Sequence, residues 1–356
     1  MRSCCLHLLI FATLLPACVA TGGTGGASFD DAGVDPGEGD GGSPPPRDDA
    51  APVRDSGGSN REDAPPSDGG SARDAGPAPD ATPPPPIDAG PLDACYREAY
   101  FPGVSVDDLA SSYGSAKWLA TSLEVTKRRY PTGNFILGAE KSDPQLASFA
   151  DPGSFDALME SLMTMCHEET HGYDYEHASA GRHQYVLRDD LIIDVPIGST
   201  FPRSEILAYI TDDSTSLYDG TYLEGSMGTY DFADMNDELN AYINGMACIT
   251  AFGERIHGGI SARDGAIAHI LYLQLYLKRA RLAHATTYAF LKGDPSWMKF
   301  VRFSWARVHF WDGVAKAFPH LEIGVDRIWA HVNEPDNLDE IRQFTGEDPA
   351  VVACHP

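Results

Sequence analysis

The chain has 356 residues, of which 52 are acidic and 26 are lysine or arginine, so its formal net charge is −26 at neutral pH. A surface with this excess of negative charge repels nucleic acids and anionic lipid headgroups, so neither is an expected partner. The length is sufficient for one or two domains that each bury a hydrophobic core.

The N-terminus has the pattern of a secretory signal peptide at residues 1–17. Arg2 precedes an apolar run, residues 6–15, that is too short to cross a bilayer as a permanent helix. The run ends in the letters LPAC at Cys18, which resemble the lipobox of bacterial lipoproteins. We expect cleavage before Cys18 and a lipid anchor on its sulfur, with an ordinary leader cysteine as the alternative. The predicted location is extracellular or at the cell envelope, with the outer membrane favoured and contact with the membrane only through the lipid.

Residues 19–93 are dominated by Gly, Pro, Asp and Ser. They hold 15 acidic residues against 4 arginines, and 14 of the 26 prolines of the chain. Such a segment buries too little apolar surface to offset the entropy lost on ordering. The sequence therefore predicts a disordered acidic tether over residues 18–93 and one folded domain over residues 94–356.

Four cysteines remain in the predicted domain after the leader, with its own cysteines, is removed. An even number in an exported domain indicates two disulfides. We predict a Cys95–Cys354 bond, because it closes the two ends of the domain, and a Cys166–Cys248 bond from the remaining pair.

The first half of the predicted domain begins with a helical pattern over residues 115–130 that Pro131 ends. The following letters, NFILGA, predict a short strand. A longer helix is expected from Asp151 or Ser154, because apolar residues then recur at three- and four-residue steps as far as Cys166. Residues 183–197 predict a β-hairpin that turns at residues 188–190.

Helical patterns dominate the second half of the domain, at residues 238–252, 262–292 and 297–317. The third of these carries three tryptophans and three phenylalanines, which predict a C-terminal core rather than a binding cleft. The predicted fold class is α+β, dominated by helices and with a small sheet.

The letters HEETH at residues 167–171 carry the chemistry. His167 and His171 are four residues apart, so on a helix their imidazoles point to the same side and can share one ion. Glu168 lies slightly off that side, where its carboxylate can reach a metal-bound water. This H-E-x-x-H arrangement predicts a Zn²⁺ site with Glu168 as the general base.

Two residues compete to be the third zinc ligand. The letters NDELNAY resemble the glutamate-bearing segment of gluzincins, in particular the anthrax lethal factor-like metallopeptidases. This resemblance implies a zincin-like domain in which a second helix brings Glu238 to the zinc, and in which Tyr230 supports the transition state. Alternatively, His177 follows His171 at the metzincin spacing, with Met227 in the place of the methionine turn. The metzincin pattern has glycine where this chain has Asp174.

An acidic residue could also fix the tautomer of a ligand histidine by hydrogen-bonding to the ring nitrogen that does not bind the metal. Asp174, Asp234 and Asp237 are the candidates, because a carboxylate that accepts the second N–H of the ring orients it.

The resulting expectation is a zinc-dependent peptidase that acts on protein or peptide substrates. The alternative hypothesis is a non-catalytic surface lipoprotein in which zinc is structural, with His177 as a fourth ligand, or in which the site is a relic.

Overall fold

Thirteen α-helices, five short 3-10 helices and one β-hairpin lie within residues 95–356, the part of the protein that the structure, a computed structural model, describes. The predicted leader, Cys18 and the acidic tether lie outside these residues and stay predictions. The helices are α1 (Asp107–Ser111), α2 (Trp118–Arg129), α3 (Pro131–Ala139), α4 (Leu146–Phe149), α5 (Phe155–Glu176), α6 (Ser216–Tyr222), α7 (Phe232–Thr250), α8 (Ala262–Ala283), α9 (Ala285–Gly293), α10 (Pro295–Ala315), α11 (Val325–Val332), α12 (Pro335–Thr345) and α13 (Pro349–Cys354). The helix-dominated α+β class is confirmed.

The predicted hairpin is present as β1 (Arg182–Arg188) and β2 (Leu191–Pro196), which pair antiparallel. Its register places Tyr185 opposite Ile193, and an irregularity follows Val186 before the turn. The backbone of Val186 is held by other elements: its N–H donates to Asp174 Oδ1 at 2.6 Å, and its carbonyl accepts from the side-chain amide of Asn240 at 3.1 Å. The hairpin is thereby fixed to both α5 and α7.

The predicted strand at NFILGA is wrong, because these residues belong to helix α3. Pro131 does end α2, but it is also the first residue of α3. Proline suits that position, since its missing N–H has no intrahelical acceptor there and its φ angle is already helical. The predicted helix over residues 262–292 is also interrupted, because His284 has a non-helical backbone between α8 and α9.

Helix α7 is the central element, since α5, α8 and α10 all pack against it. Most of its residues are buried, so it runs through the core rather than along the surface. The C-terminal aromatic residues contribute to the same core, as predicted: Trp297, Trp305, Trp311 and Phe300 are at most 1% exposed.

Both predicted disulfides are confirmed, with S–S distances of 2.16 Å for Cys95–Cys354 and 1.99 Å for Cys166–Cys248. The second bond joins α5 to α7. Within residues 95–356, each helix lacks the length or the apolar character that crossing a bilayer requires.

Candidate metal centre

Helix α5 presents the HEETH letters in a regular helical frame. Ser154 caps its first turn by accepting a hydrogen bond from the N–H of Ala157 at 3.1 Å. The apolar residues between Phe155 and Cys166 are buried on one side, as their spacing predicts. His167 continues that side and is 9% exposed, so the packing of the helix carries the first histidine directly into the interior.

Helix α7 brings Glu238 to the same place. Its N-terminus has a capping box, in which Asp231 accepts from the N–H groups of Ala233 and Asp234. Gly245 lets α7 approach α5 closely, because a Cβ atom at this position would lie 2.9 Å from the carbonyl oxygen of Met163 and 3.3 Å from His167 Cβ. Glu238 is 5% exposed as a result of this packing.

The side chains of His167, His171 and Glu238 converge. Their ligand atoms lie within 4.8 Å of one another, and no other group of this kind occurs among residues 95–356. The two Nε2 atoms are 3.2 Å apart, and Glu238 Oε2 lies 3.7 Å from that of His167 and 3.5 Å from that of His171. These are the three residues that the gluzincin resemblance implies as zinc ligands.

The spacing fits a tetrahedral ion. With Zn–N distances of about 2.0–2.1 Å, tetrahedral coordination separates two ligand nitrogens by about 3.3 Å. The Nε2 atoms of His167 and His171 are 3.2 Å apart. Glu238 Oε2 finds no hydrogen-bond donor within the described part of the chain although it is buried. A buried carboxylate oxygen without a donor is typical of a metal ligand.

Asp237 orients His171. The ring Nδ1–H donates to Asp237 Oδ2 at 2.6 Å, which leaves Nε2 free to bind a metal. Of the three carboxylates considered from the sequence, Asp237 is therefore the one that contacts a ligand histidine. Asp234 belongs to the capping box of α7, and Asp174 accepts from Val186 and Asn240.

The charges around the cluster favour one neutral and one protonated histidine in the metal-free protein. Burial, assisted by the charge of His171, lowers the pKa of His167 to about 3. Burial also lowers the pKa of His171, but the carboxylates of Asp237 and Glu238 outweigh it and hold this pKa well above its usual range. Burial raises the pKa of Glu238, but His171 and His167, followed by Arg203, outweigh it and lower this pKa to about 2.

Glu168 is partly buried on the turn between the two histidines. Burial, followed by the negative charges of Glu238 and Asp237, raises its pKa to about 7, while His171 acts in the opposite direction. A carboxyl group with a pKa near neutrality can accept and return a proton at neutral pH. A cation bound at the neighbouring ligand atoms would lower this pKa and favour the carboxylate, which is the form that accepts a proton.

Tyr230 is half-buried at the end of the short 3-10 helix Met227–Thr229, and its ring lies beside Arg203. The guanidinium carbon of Arg203 lies 5.4 Å from the ring centre of Tyr230 and 5.5 Å from that of Tyr222. Arg203 Nε donates to the carbonyl oxygen of Met227. Burial raises the pKa of Glu238, and Arg203 is, after His171 and His167, one of the positive charges that lower it.

His177 lies away from the cluster. Helix α5 continues without a break through Asp174 to Glu176, so the sharp turn of the metzincin pattern is not formed. His177 follows as an exposed residue whose ring stacks on Tyr173 at 4.1 Å. Its Nδ1 donates to the carbonyl oxygen of Tyr173, within the same last turn.

Three residues near the cluster were not identified as site residues from the sequence. Tyr242 packs edge-on against His167, with ring centres 4.5 Å apart, and stacks on His269 on its other side. His269 is 1% exposed, and Arg203 is one of the positive charges that, after His171 and His167, lower the pKa of Glu238 against the effect of burial. Tyr242 could have been found one helical turn after Glu238, but Arg203 and His269 come from distant segments without a local signal.

Comparison with known proteins adds no relative: no family model, curated protein or solved structure matches the chain. The case for a function therefore depends on the residues themselves.

Proposed function

We propose that this protein is a zinc-dependent peptidase in which His167, His171 and Glu238 bind the metal and Glu168 is the general base. The observation that carries the proposal is the spacing of the three ligand atoms, all within 4.8 Å, on two helices joined by a disulfide. Three protein ligands are typical of catalytic zinc, whereas structural zinc usually has four. His177, the expected fourth ligand of a structural site, is exposed and stacked on Tyr173.

Bound zinc supplies a Lewis acid and lowers the pKa of a coordinated water to about 7. The role of Glu168 is to take a proton from the attacking water and to deliver it to the amine that leaves when the peptide bond breaks. Asp237 keeps His171 in the tautomer that presents Nε2 to the metal. Tyr230 is the candidate donor to the developing oxyanion, with the positive charge of Arg203 beside its ring.

The decisive experiment replaces Glu168 by Gln in the full chain. We expect the variant to bind one zinc per chain as the wild type does, and to hydrolyse labelled, unfolded casein at least about 100-fold more slowly, because general base catalysis typically contributes that much or more. Glu160→Gln is a matched control, because Glu160 lies on the same helix but accepts a hydrogen bond from the N–H of His257 outside the cluster. Full activity of Glu168→Gln with zinc bound would contradict the proposal.

The cellular location is proposed from the leader alone. A lipid on Cys18, followed by the acidic tether, would hold the peptidase at the cell envelope. Cys18→Ser should release the protein from the membrane fraction without changing its zinc content. Retention of the variant in membranes would contradict the lipid anchor.

A further inference from the structure

Helix α5 carries two glutamates, with a glycine between them, on the side opposite its two ligand histidines. Glu169, Gly172 and Glu176 follow one another at three- and four-residue steps, so they share one side of the helix. Glu169 is two residues from His167, which corresponds to about 200° of rotation around the helix axis. This side is therefore spatially separate from the candidate zinc site.

Glu169 is buried in an unusual way. Its side chain has no solvent-exposed surface, and neither carboxylate oxygen has a hydrogen-bond partner within residues 95–356. A fully buried carboxylate is costly unless it is hydrogen-bonded, paired with a positive charge or coordinated to a cation. Neither a lysine nor an arginine in the described part of the chain forms an ion pair with Glu169.

A second carboxylate meets Glu169 from helix α3. Glu140 follows the last residue of α3 and is 5% exposed. The position that a Cβ atom on Gly172 would occupy lies 3.7 Å from Glu169 Oε2 and 3.8 Å from Glu140 Oε2. Two buried carboxylates, one on α5 and one directly after α3, therefore converge on the same glycine.

Further negative charge surrounds this pair. Asp143 and Glu176 both act electrostatically on Glu169, and both also act on Glu140. The one positive influence on Glu140 comes from His177, which is exposed and whose Nδ1 is engaged with the carbonyl oxygen of Tyr173. The atoms that could coordinate a cation here are therefore carboxylate oxygens.

We infer that Glu140 and Glu169 form a binding site for a hard divalent cation, specifically Ca²⁺, between the end of α3 and the side of α5 opposite His167. Calcium takes six to eight oxygen ligands at flexible geometry, so two carboxylates can be completed by waters and backbone carbonyls. Zinc would prefer the nitrogen donors on the opposite side of the helix. The cation joins α3 to α5 and stabilises the helix that carries His167 and His171. The inference does not depend on catalysis.

The test is calcium-dependent melting of the full chain after chelation and reloading with zinc. A ligand at about 100 times its dissociation constant should raise the melting temperature of a domain of this size by about 5–10 °C. We expect CaCl₂ to produce this shift in the wild type and no shift in Glu169→Gln, which should retain its zinc. Glu224→Gln is the matched control, because it removes the same charge at an exposed position and should keep the full shift.

Two outcomes would overturn the inference. The absence of a shift in the wild type would mean that the carboxyl pair holds no calcium and simply shares a proton. An equal shift in the wild type and in Glu169→Gln would place calcium elsewhere. If Glu169→Gln does not fold, Glu140→Gln provides the same comparison from the other helix.

Terbium luminescence can locate the ion. Tb³⁺ replaces Ca²⁺ at oxygen sites and is excited by nearby phenol rings. Tyr173 follows Gly172 on α5, and burial, followed by the negative charges of Asp174 and Glu140, raises its pKa. We expect Tyr173→Phe to lower the sensitised emission without changing the CaCl₂ concentration that displaces Tb³⁺. Unchanged emission in Tyr173→Phe would contradict the assigned position.

Discussion

Glu98 and Glu238 are both buried glutamates, with 7% and 5% of their surfaces exposed, but their surroundings differ. The carboxylate of Glu98 accepts five hydrogen bonds, two of them from Arg307, which is itself fully buried. The other three come from Tyr96, Tyr130 and Trp311. Glu238 Oε2, in contrast, accepts none from the described residues and lies against two histidines.

This difference separates a buried carboxylate that is neutralised by hydrogen bonds from one whose oxygen is open to a ligand. A buried, ion-paired carboxylate whose two oxygens both accept hydrogen bonds holds segments together and leaves no room for a ligand. Glu98 joins the start of the domain to α10 in this way. The charge of Glu238 is balanced by neighbouring positive charges rather than by hydrogen-bond donors to Oε2. This oxygen therefore remains available to a cation. Glu169 belongs to the second class, without the positive neighbours.

The largest expected effect is on stability, from Arg307→Met. Removing one partner of a buried pair leaves the other charge uncompensated and typically costs about 3–5 kcal/mol. We expect a loss of this size in the unfolding free energy of the zinc-free protein, measured by denaturant titration, with zinc stoichiometry unchanged. The double variant Glu98→Gln/Arg307→Met should lose less. An unaltered unfolding free energy in Arg307→Met would show that the two classes of buried glutamate do not differ.

Glu238→Gln should affect zinc affinity more than the unfolding free energy of the zinc-free protein, the reverse of Arg307→Met. We expect zinc affinity to fall by more than about 100-fold. Even the loss of a residue that only hydrogen-bonds to a metal ligand lowers metal affinity by about 10–100-fold. The unfolding free energy of the zinc-free protein should change less than in Arg307→Met, because Oε2 accepts no hydrogen bond that the substitution would break. Competition with a chromogenic chelator measures the affinity. His177→Ala, the matched control, should bind zinc normally, and a loss of zinc there would revive the metzincin ligand set.

Asp237→Asn tests the hydrogen bond that orients the ring of His171. The amide cannot hold the Nδ1–H of the ring as a carboxylate does, so we expect zinc affinity to fall by about 10–100-fold. Asp234→Asn alters a neighbouring carboxylate that belongs to the capping box, and should leave zinc affinity unchanged. Equal effects of the two substitutions would indicate a general loss of negative charge rather than orientation of His171.

The smallest effect concerns pH and His269. Burial lowers the pKa of His269 to about 4 from the usual value of 6.5. Between these two values the unfolded chain binds more protons than the folded one, so the stability of the zinc-free protein should fall as the pH decreases from 6.5 towards 4. One such histidine contributes a slope of up to about 1.4 kcal/mol per pH unit. His269→Gln should flatten the slope in denaturant titrations between these pH values, and an identical slope would contradict the assignment.

Sequence predictions succeeded where the interactions that determine a structure lie within a few residues of one another. The helix that carries HEETH was predictable, because capping and apolar spacing act over a few residues. The disulfides followed from the parity of the cysteines and the position of Cys95 and Cys354 at the ends. The strand at NFILGA was wrong, because a short apolar run does not distinguish a buried strand from a buried helix.

The sequence by itself determined that His167 and His171 lie on one side of a helix with Glu168 between them, since the helical repeat places residues four apart together. Only the tertiary structure decided that Glu238 joins them, that Asp237 rather than Asp174 orients His171, and that Glu140 meets Glu169. These contacts depend on how closely α3, α5 and α7 pack, and packing depends on residues that are far apart in the chain, such as Gly245, which has no side chain to keep α7 away from α5, and Val186, whose backbone N–H is held by Asp174. The helical repeat aligns candidate ligand side chains along one helix. The packing of separate helices decides which further side chains join them.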